Sequence, residues 1–334
     1  MAYRVSHIAY RPRLLDYPTT RLPDYPTTRP LDYMTTSHWL ALTTVPGIGG
    51  VTARKLLARF GDIESVFTAS PDELTQIPRL TPAMAEKLLA APIEELESDL
   101  LTLNDEGIDV LTWDDDRFPK PLRDLSEAPI LLFMRGALQA KDENAVAIVG
   151  TRSPTEAAVN LATMLGRELA ARGLTVVSGL ALGVDSAAHR GALESGRTLA
   201  VLGSGIRFIP PSEHVELAEE IIRSGALLSE LHPNTPPRGP QLMARDRIVS
   251  GLSRAVIVVE AGEKSGSLDT ANRAKKQGRL VCAVPGSVGT EQLLTNGALR
   301  LEPERTDFDV LADRLIKSVL PDKDDSAPRQ ELLF

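Results

Sequence analysis

Short apolar runs alternate with helix-length segments through the middle of the chain. Three of the runs, Ala145–Val149, Leu174–Ser178 and Thr198–Leu202, are continuous rather than alternating, and each is followed by a glycine. Strands that are covered on both faces have this pattern. The helices between them would cross over in a right-handed sense and make the strands parallel. Residues 145–205 therefore predict a βαβαβ unit of a doubly wound α/β sheet.

The same alternation continues on both sides of this unit. The downstream strands are expected at Ala226–Ser229, Ala255–Glu260 and Leu280–Val284. The downstream helices are expected at Ser212–Ser224, from about Ser267, and at Glu291–Asn296. Upstream, the pattern predicts helices at Thr81–Ala91 and Ile93–Asn104 and a strand at Ile108–Trp113. We interpret residues 107–144 as a bridging segment that leads into the sheet.

A glycine-rich hairpin lies near the start of the helical part. Residues 45–49, Val-Pro-Gly-Ile-Gly, join two helical patterns, and Gly61 ends the second one. This arrangement resembles a SAM-like helix-hairpin-helix. In DNA-binding members of that class the hairpin offers backbone N–H groups to a phosphate. A small helical bundle that only packs is the alternative, and the sequence leaves both open.

A repeat of period eight, beginning at Asp16, Asp24 and Asp32, occupies the N-terminal segment. It is rich in proline and threonine and offers no apolar face. We therefore expect residues 1–36 to be a disordered tail. Translated sequence upstream of a native start at Met34 would explain the repeat, and a docking tail is the alternative.

The residues that follow the three central strands are suited to phosphate. Ligands of doubly wound sheets bind beyond the carboxyl ends of the strands, where turns at helix N-termini offer N–H groups. Here those positions hold Gly150-Thr151-Arg152, the segment from Ser178 to Gly183, and Gly203-Ser204-Gly205. The spacing lacks the later glycines of G-x-G-x-x-G, and the chain contains no GxxxxGK[ST] loop. Dinucleotide binding and P-loop chemistry are therefore disfavoured.

Charge and composition narrow the function further. The formal charge of −8 argues against a protein coated with basic residues, yet residues 238–254 contain four arginines and one acid. The single Cys282 lies in an apolar run, which predicts a buried, unreactive thiol. The five histidines show no ligand spacing, so no metal or other cofactor is expected. No apolar run reaches the roughly 20 residues of a membrane span, and we expect a cytoplasmic protein.

Many motifs of the chain resemble, in order, those of the DprA/Smf DNA-processing proteins of bacteria. They are VGTR (149–152), SGLALGVDSAAHRGAL (178–193), TLAVLGSGI (198–206), LLSE (227–230), RDRIVSGLS (245–253), VVEA (258–261), GSLDTA (266–271), AVPG (283–286) and GTEQLLTNGA (289–298). The resemblance implies a Rossmann-like, mostly parallel sheet preceded by a SAM-like domain. It also implies a homodimer that binds single-stranded DNA and loads RecA onto it during natural transformation, without being an enzyme.

The resemblance also implies which residues meet DNA phosphates. Carried over by position, the candidates are Gly150, Thr151, Arg152, Ser178, Gly179, Gly183, Arg245, Arg247, Gly266, Ser267 and Thr270. The family often has a lysine just before the RNR element, and Arg238 is the candidate substitute for it here. Arg152 is the arginine of the VGxR turn, and Arg245 and Arg247 belong to the RNR element. Asp246 replaces the asparagine of that element, which places an acid between two arginines expected to face phosphate.

The domain boundaries follow from the same comparison. We expect a SAM-like domain at residues 37–106, the DNA-binding domain at 107–302, and a C-terminal segment, 303–334, with one amphipathic helix through Phe308, Leu311, Leu315 and Val319. This last segment is too short for a full winged helix.

Some acidic and histidine side chains allow either a structural or a catalytic interpretation. Asp185 and His189 are four residues apart on a helix and could suggest acid–base chemistry, but a capping carboxylate and a packing histidine explain them. Glu260 is expected to cap or orient a neighbouring loop. The alternative function is that of an enzyme, a LOG-type nucleoside-monophosphate phosphoribohydrolase, because Pro285–Glu291 resembles its PGGxGTxxE element. Glu291 would then polarise water.

Overall fold

The computed structural model describes residues 33–317 of the chain. Its first part is helical, and short capped helices follow one another. Their bounds are α1 Tyr33–Thr44, α2 Gly50–Phe60, α3 Ile63–Thr68, α4 Pro71–Thr75, α5 Pro82–Leu89 and α6 Ile93–Asp105. Side chains fix several starts: Asp62 accepts from the Ser65 N–H, and Ser70 with Glu73 forms a capping box. The helices enclose Leu42, Leu56, Leu74 and Leu88, which are buried together.

A nine-stranded sheet follows. Its strands are β1 Asp109–Thr112, β2 Leu131–Gly136, β3 Ala145–Val149, β4 Thr175–Ser178, β5 Arg197–Val201, β6 Ala226–Ser229, β7 Ala255–Val258, β8 Leu280–Ala283 and β9 Leu299–Arg300. They pair in the order β1-β2-β6-β5-β4-β3-β7-β8-β9. The β1–β2 and β2–β6 pairs are antiparallel, and all other pairs are parallel. The predicted mostly parallel sheet after a small helical domain is confirmed.

Helices cover both faces of the sheet. They are α7 Lys120–Arg123, α8 Glu156–Ala171, α9 Val184–Ser195, α10 Val215–Ser224, α11 Gly239–Ala244, α12 Asp246–Leu252, α13 Gly266–Lys276, α14 Val288–Thr295 and α15 Phe308–Lys317. Ala145, Ala147 and Val149 of β3 face one apolar cluster, whereas Val146 and Ile148 face the other. Burial on both faces is the reason that this strand reads as a continuous apolar run.

Several boundaries differ from the expectations. The tail was expected to reach residue 36, but α1 begins at Tyr33, and Thr36 is buried in the helical core. The bridging segment 107–144 is part of the sheet, because β1 and β2 form its antiparallel edge. The arginine-rich segment 238–254 contains the two short helices α11 and α12. The expected helix at Glu291–Asn296 begins earlier, at Val288, where Ser287 caps it.

The C-terminal helix occurs as expected, since Leu311 and Leu315 of α15 are buried. The repeat before residue 33 and the segment after residue 317 lie outside the described residues. The division of the chain at residues 106 and 302, and the lack of a full winged helix, stay predictions.

Candidate nucleic-acid interface

The turn after β3, residues 150–155, is held in place by hydrogen bonds to Glu260, which follows β7. The Thr151 N–H donates to the Glu260 carbonyl at 2.8 Å. The N–H and hydroxyl of Thr155 both donate to Oε2 of Glu260, at 3.2 and 2.7 Å. The Ser153 N–H donates to the Thr151 hydroxyl. Three N–H groups of the turn are therefore used internally, and the turn presents the exposed side chain of Arg152 instead. The expected orienting role of Glu260 is confirmed.

The loop between β4 and α9 turns its N–H groups inward. Oδ2 of Asp185 accepts from the N–H groups of Gly179 and Ala181, at 3.1 and 3.4 Å. The carbonyl of Leu180 accepts from Nδ1 of His214 at 2.9 Å. Gly179 was expected to offer its N–H to a phosphate, and in this structure the buried Asp185 carboxylate holds that group, so the assignment of Gly179 stays a prediction.

Gly183 joins this loop to the Arg152 turn. Its φ of 84° is a conformation that side chains rarely adopt, and a Cβ there would overlap the Thr151 carbonyl and the backbone of Arg152. The Val184 N–H also donates to the Thr151 carbonyl at 3.2 Å. Glycine at 183 thus serves the close packing of two loops.

Arg245 lies beneath the loop and not at its surface. Its side chain is buried, with 6% of the residue exposed. Nη1 donates to the Val201 carbonyl at 2.9 Å, and Nε lies 3.1 Å from Oδ1 of Asp246. A Cβ on Gly179 would collide with the guanidinium, so the two are in direct contact. Arg245 is thus buried with Nε and Nη1 held by internal partners, and its assignment to a phosphate stays a prediction that this burial does not favour.

The two neighbours of Arg245 in sequence also differ from expectation. Arg247 makes a two-pronged ion pair with Glu230, with Nη1 2.7 Å from Oε1, so it is not a free phosphate ligand. Asp246 is 8% exposed, and burial raises the pKa of its carboxyl to about 6, against the opposing effect of Arg245. Thr270 is buried and hydrogen-bonds this carboxyl. Asp246 is therefore an internal partner and does not stand between two exposed arginines.

The remaining candidates divide into buried and exposed groups. Ser178 is buried and donates to the Ile148 carbonyl at 2.7 Å, and Ser267 is buried with its Oγ 2.8 Å from that of Ser265. The hydroxyls of these two serines therefore bind internal partners. Gly150 is half-buried, whereas Gly266, at the start of α13, and Arg238, which precedes α11, are exposed. The structure thus brings Gly150, Thr151, Arg152 and Gly183 together and leaves Arg152 and Arg238 as the exposed cations among the candidates.

Two buried histidines, His189 and His214, pack near the loop between β4 and α9, and the sequence analysis singled out only His189. Nδ1 of His189 lies 2.6 Å from the Thr198 hydroxyl, which itself donates to the Val176 carbonyl, so the ring donates from Nδ1. Burial lowers the pKa of His189 to about 3, and the ring is neutral. The packing interpretation of His189 is confirmed. His214 was missed because nothing in its neighbourhood in the sequence indicates that it reaches Leu180.

Other groups fit simple roles. Oε1 of Glu291 accepts from the Gly286 N–H at 2.9 Å, so this carboxylate binds its own turn. Cys282 is buried, and burial raises the pKa of its thiol to about 12, which confirms an unreactive thiol. Within residues 33–317, no cluster of three or more His, Cys, Asp or Glu side chains is arranged to hold a metal ion. No helix in that range has the length and apolarity to cross a membrane.

Comparisons with known proteins agree with this architecture. The profile of the DNA recombination-mediator protein A family matches residues 109–308, and that of the SAM-like helix-hairpin-helix tandem matches residues 40–103. Protein Smf from Escherichia coli is 35% identical over 278 residues, which are 80% of this chain and 72% of that protein. DNA processing protein DprA from Bacillus subtilis is 35% identical over 230 residues, covering 66% of this chain and 77% of the relative.

Solved structures give the same result. The X-ray structure of DprA from Streptococcus pneumoniae superposes with a TM-score of 0.72 at 30% identity, over 83% of this chain and 97% of that one. A structure of the Helicobacter pylori protein, described for its single-stranded DNA binding mode, has a TM-score of 0.55 at 32% identity and covers 63% of this chain and 96% of that chain. The order of the motifs, the fold and these matches together show that the chain belongs to the DNA recombination-mediator protein A (DprA/Smf) family.

Proposed function

We propose that the chain binds the backbone of single-stranded DNA at the carboxyl ends of its parallel strands, with Arg152 as the principal cation. The observation that carries the proposal is the contrast between the arginines at this edge. Arg245 and Arg247 are held by internal partners, whereas Arg152 is exposed, and among residues 33–317 no carboxylate forms an ion pair with it. An anchored turn with a free guanidinium suits a charge-assisted, two-pronged contact with a phosphate.

Exposed Arg238, which precedes α11, is a second candidate contact. Aromatic residues make up only 4% of the chain, so stacking on bases contributes little and the binding is mainly electrostatic. We expect such binding to tolerate any base sequence. The H. pylori relative, whose structure is described for single-stranded DNA binding, supports the choice of ligand.

We propose further that the protein acts as a recombination mediator and not as an enzyme. In this role a cytoplasmic homodimer holds single-stranded DNA and helps RecA to displace single-strand-binding protein during natural transformation. A dimer strengthens binding because the second site acts at a high effective concentration. The LOG-type hydrolase alternative gains no support from Glu291, whose carboxylate binds its own turn. Release of adenine from AMP would revive that alternative.

The test of DNA binding compares Arg152→Ala with wild type on an oligothymidine over a range of salt concentrations. Loss of one charge-assisted contact should weaken binding roughly ten- to a hundredfold. The slope of log affinity against log salt should shrink by about one unit. Arg223→Ala is the matched control. Arg223 is exposed in the last turn of α10, just before β6 begins, and so lies near the amino ends of the parallel strands, away from Arg152.

Two results would contradict the proposed DNA binding. A folded Arg152→Ala protein with wild-type affinity and slope would take Arg152 out of the interface. Equal affinity of the wild type for duplex and single-stranded oligonucleotides would argue against the proposed ligand. For the mediator role, strand exchange by RecA on coated DNA should be faster with the protein than without it, and an unchanged rate would contradict that role.

A further inference from the structure

The loop at residues 179–183 is held in an unusual conformation from its inner side. Leu180 has a φ of 57°, in the left-handed region that residues other than glycine, asparagine and aspartate rarely enter. Its side chain is fully buried, and its carbonyl accepts from His214. Such a conformation persists only where the surroundings determine it. Here the surroundings are the Asp185 carboxylate, which holds two N–H groups, and the Arg245 guanidinium, which contacts Gly179.

Arg245 is also the cation that balances two buried carboxylates. Asp185 and Asp246 are 6% and 8% exposed, and the positive charge of Arg245 acts on both. Removing one partner of a buried ion pair leaves the other charge uncompensated. Loss of Arg245 would therefore leave the Val201 carbonyl without its donor and the two nearby acids without their shared cation.

The position of this loop determines the position of the Arg152 turn. Gly183 packs directly against the backbone of Thr151 and Arg152, and the Val184 N–H donates to the Thr151 carbonyl. A movement of the loop would thus be transmitted to the exposed guanidinium of Arg152. Because all of these contacts are internal, they exist without DNA.

We propose that Asp185 and Arg245 are positioning residues, which hold the 179–183 loop and through it the Arg152 turn in the DNA-binding conformation, and that neither contacts DNA. This inference rests on the proposed binding of single-stranded DNA at this edge. Arg245 would then act on the position of the loop and not as a phosphate ligand. The two roles differ in their salt dependence, because only a residue that neutralises a phosphate changes the number of counterions released on binding.

The first experiment measures the affinity of Arg245→Met for an oligothymidine over a range of salt concentrations, beside wild type and Arg152→Ala. We expect Arg245→Met to bind about tenfold more weakly with the wild-type salt slope. Arg152→Ala should lose about one unit of slope. Arg245→Lys keeps the charge between the two carboxylates and should recover part of the affinity.

Two results would overturn the inference while leaving the proposed function intact. One is a loss of about one unit of slope in Arg245→Met, which would make Arg245 a phosphate ligand. The other is wild-type affinity in folded Arg245→Met, which would show that Arg245 is not needed to position the Arg152 turn. If the wild type itself fails to bind the oligothymidine, the proposed function fails first.

A second experiment uses the wild-type protein and so does not depend on the folding of a variant. Hydrogen exchange at the Gly179 and Ala181 amides, measured by NMR, should be slow in the free protein because Asp185 already holds both N–H groups. Adding the oligothymidine should leave these rates unchanged. Rapid exchange in the free protein that slows only with DNA would mean that the amides bind phosphate, and would overturn the inference.

Discussion

At the scale of single residues, burial decides what each charge near the interface can do. Arg245 is almost fully buried and Arg247 is paired with Glu230, so a phosphate would have to replace an internal partner of either one. Arg152 is exposed and would give up only water. Taking a charge out of water is costly unless a partner compensates. The two arginines with internal partners are therefore poor candidates for a phosphate, and Arg152 is the one that fits the proposed contact.

Asp246 should make the stability of the protein depend on pH in an unusual direction. Burial raises its pKa from 3.8 to about 6, and the nearby carboxylates of Asp185 and Asp269 act in the same direction, whereas Arg245 and Thr270 oppose it. The folded state thus holds this proton more tightly than the unfolded state does. Between about pH 4 and pH 6 the contribution of Asp246 to stability falls as the pH rises.

The substitution Asp246→Asn tests this, since an amide of the same shape does not titrate. The free energy of unfolding of Asp246→Asn minus that of wild type should increase between pH 4 and pH 7, by up to about 3 kcal/mol for a shift of this size. Urea unfolding at several pH values measures it, and titrating groups that do not interact with Asp246 cancel in the difference. A difference that stays constant across this range would contradict the raised pKa.

At the scale of elements, the start of α8 links local helix capping to the interface. The Thr155 hydroxyl accepts from the Ala158 N–H as the N-cap of α8 and donates to Glu260 at 2.7 Å. The same residue therefore begins a helix and anchors the turn that carries Arg152.

Thr155→Ala removes both bonds and should lower the free energy of unfolding by about 1–2 kcal/mol, the usual range for a lost N-cap. Thr155→Ser keeps the hydroxyl and should stay close to wild type. Thermal or urea unfolding measures the stability, and binding of the oligothymidine should weaken in Thr155→Ala alone. Equal stability of the alanine and serine variants would show that the hydroxyl contributes nothing.

The central strands could be predicted from the sequence because their burial leaves a local signal. Both β3 and β6 lie at the residues expected from their apolar runs, Ala145–Val149 and Ala226–Ser229. The strand β2 has an equally apolar run, but the sequence predicts only a bridging segment there, because its antiparallel pairing with β1 and β6 involves residues far away in sequence.

The candidate site was predicted only in part, for a related reason. The motifs indicated the carboxyl ends of the parallel strands, where the structure places the turn with an exposed Arg152. They did not separate an exposed arginine from Arg245, whose burial depends on contacts with Val201 and Gly179. Nor did they indicate that Asp185 turns the loop amides inward, since that depends on the fold of the loop itself.

At the scale of the whole molecule, the helical part and the sheet share one core. Trp39 of α1 and Leu56 of α2 belong to the same buried cluster as Leu132 of β2 and Ala147 of β3. Polar contacts join the same parts, because Nε1 of Trp39 donates to Asp114 at 2.7 Å. A shared core predicts that the two parts unfold together.

The two tryptophans of the chain offer a direct test of this cooperativity. Both lie at the junction, with the ring centroids of Trp39 and Trp113 5.4 Å apart and the Arg54 guanidinium 5.0 Å from the Trp113 ring. Tryptophan fluorescence therefore reports on the junction, whereas far-ultraviolet circular dichroism reports on helices throughout the chain. In urea the two signals should change with the same midpoint and slope. A fluorescence change that precedes the loss of helix would mean that the helical part separates from a sheet that is still folded, and would contradict unfolding as one unit with a shared core.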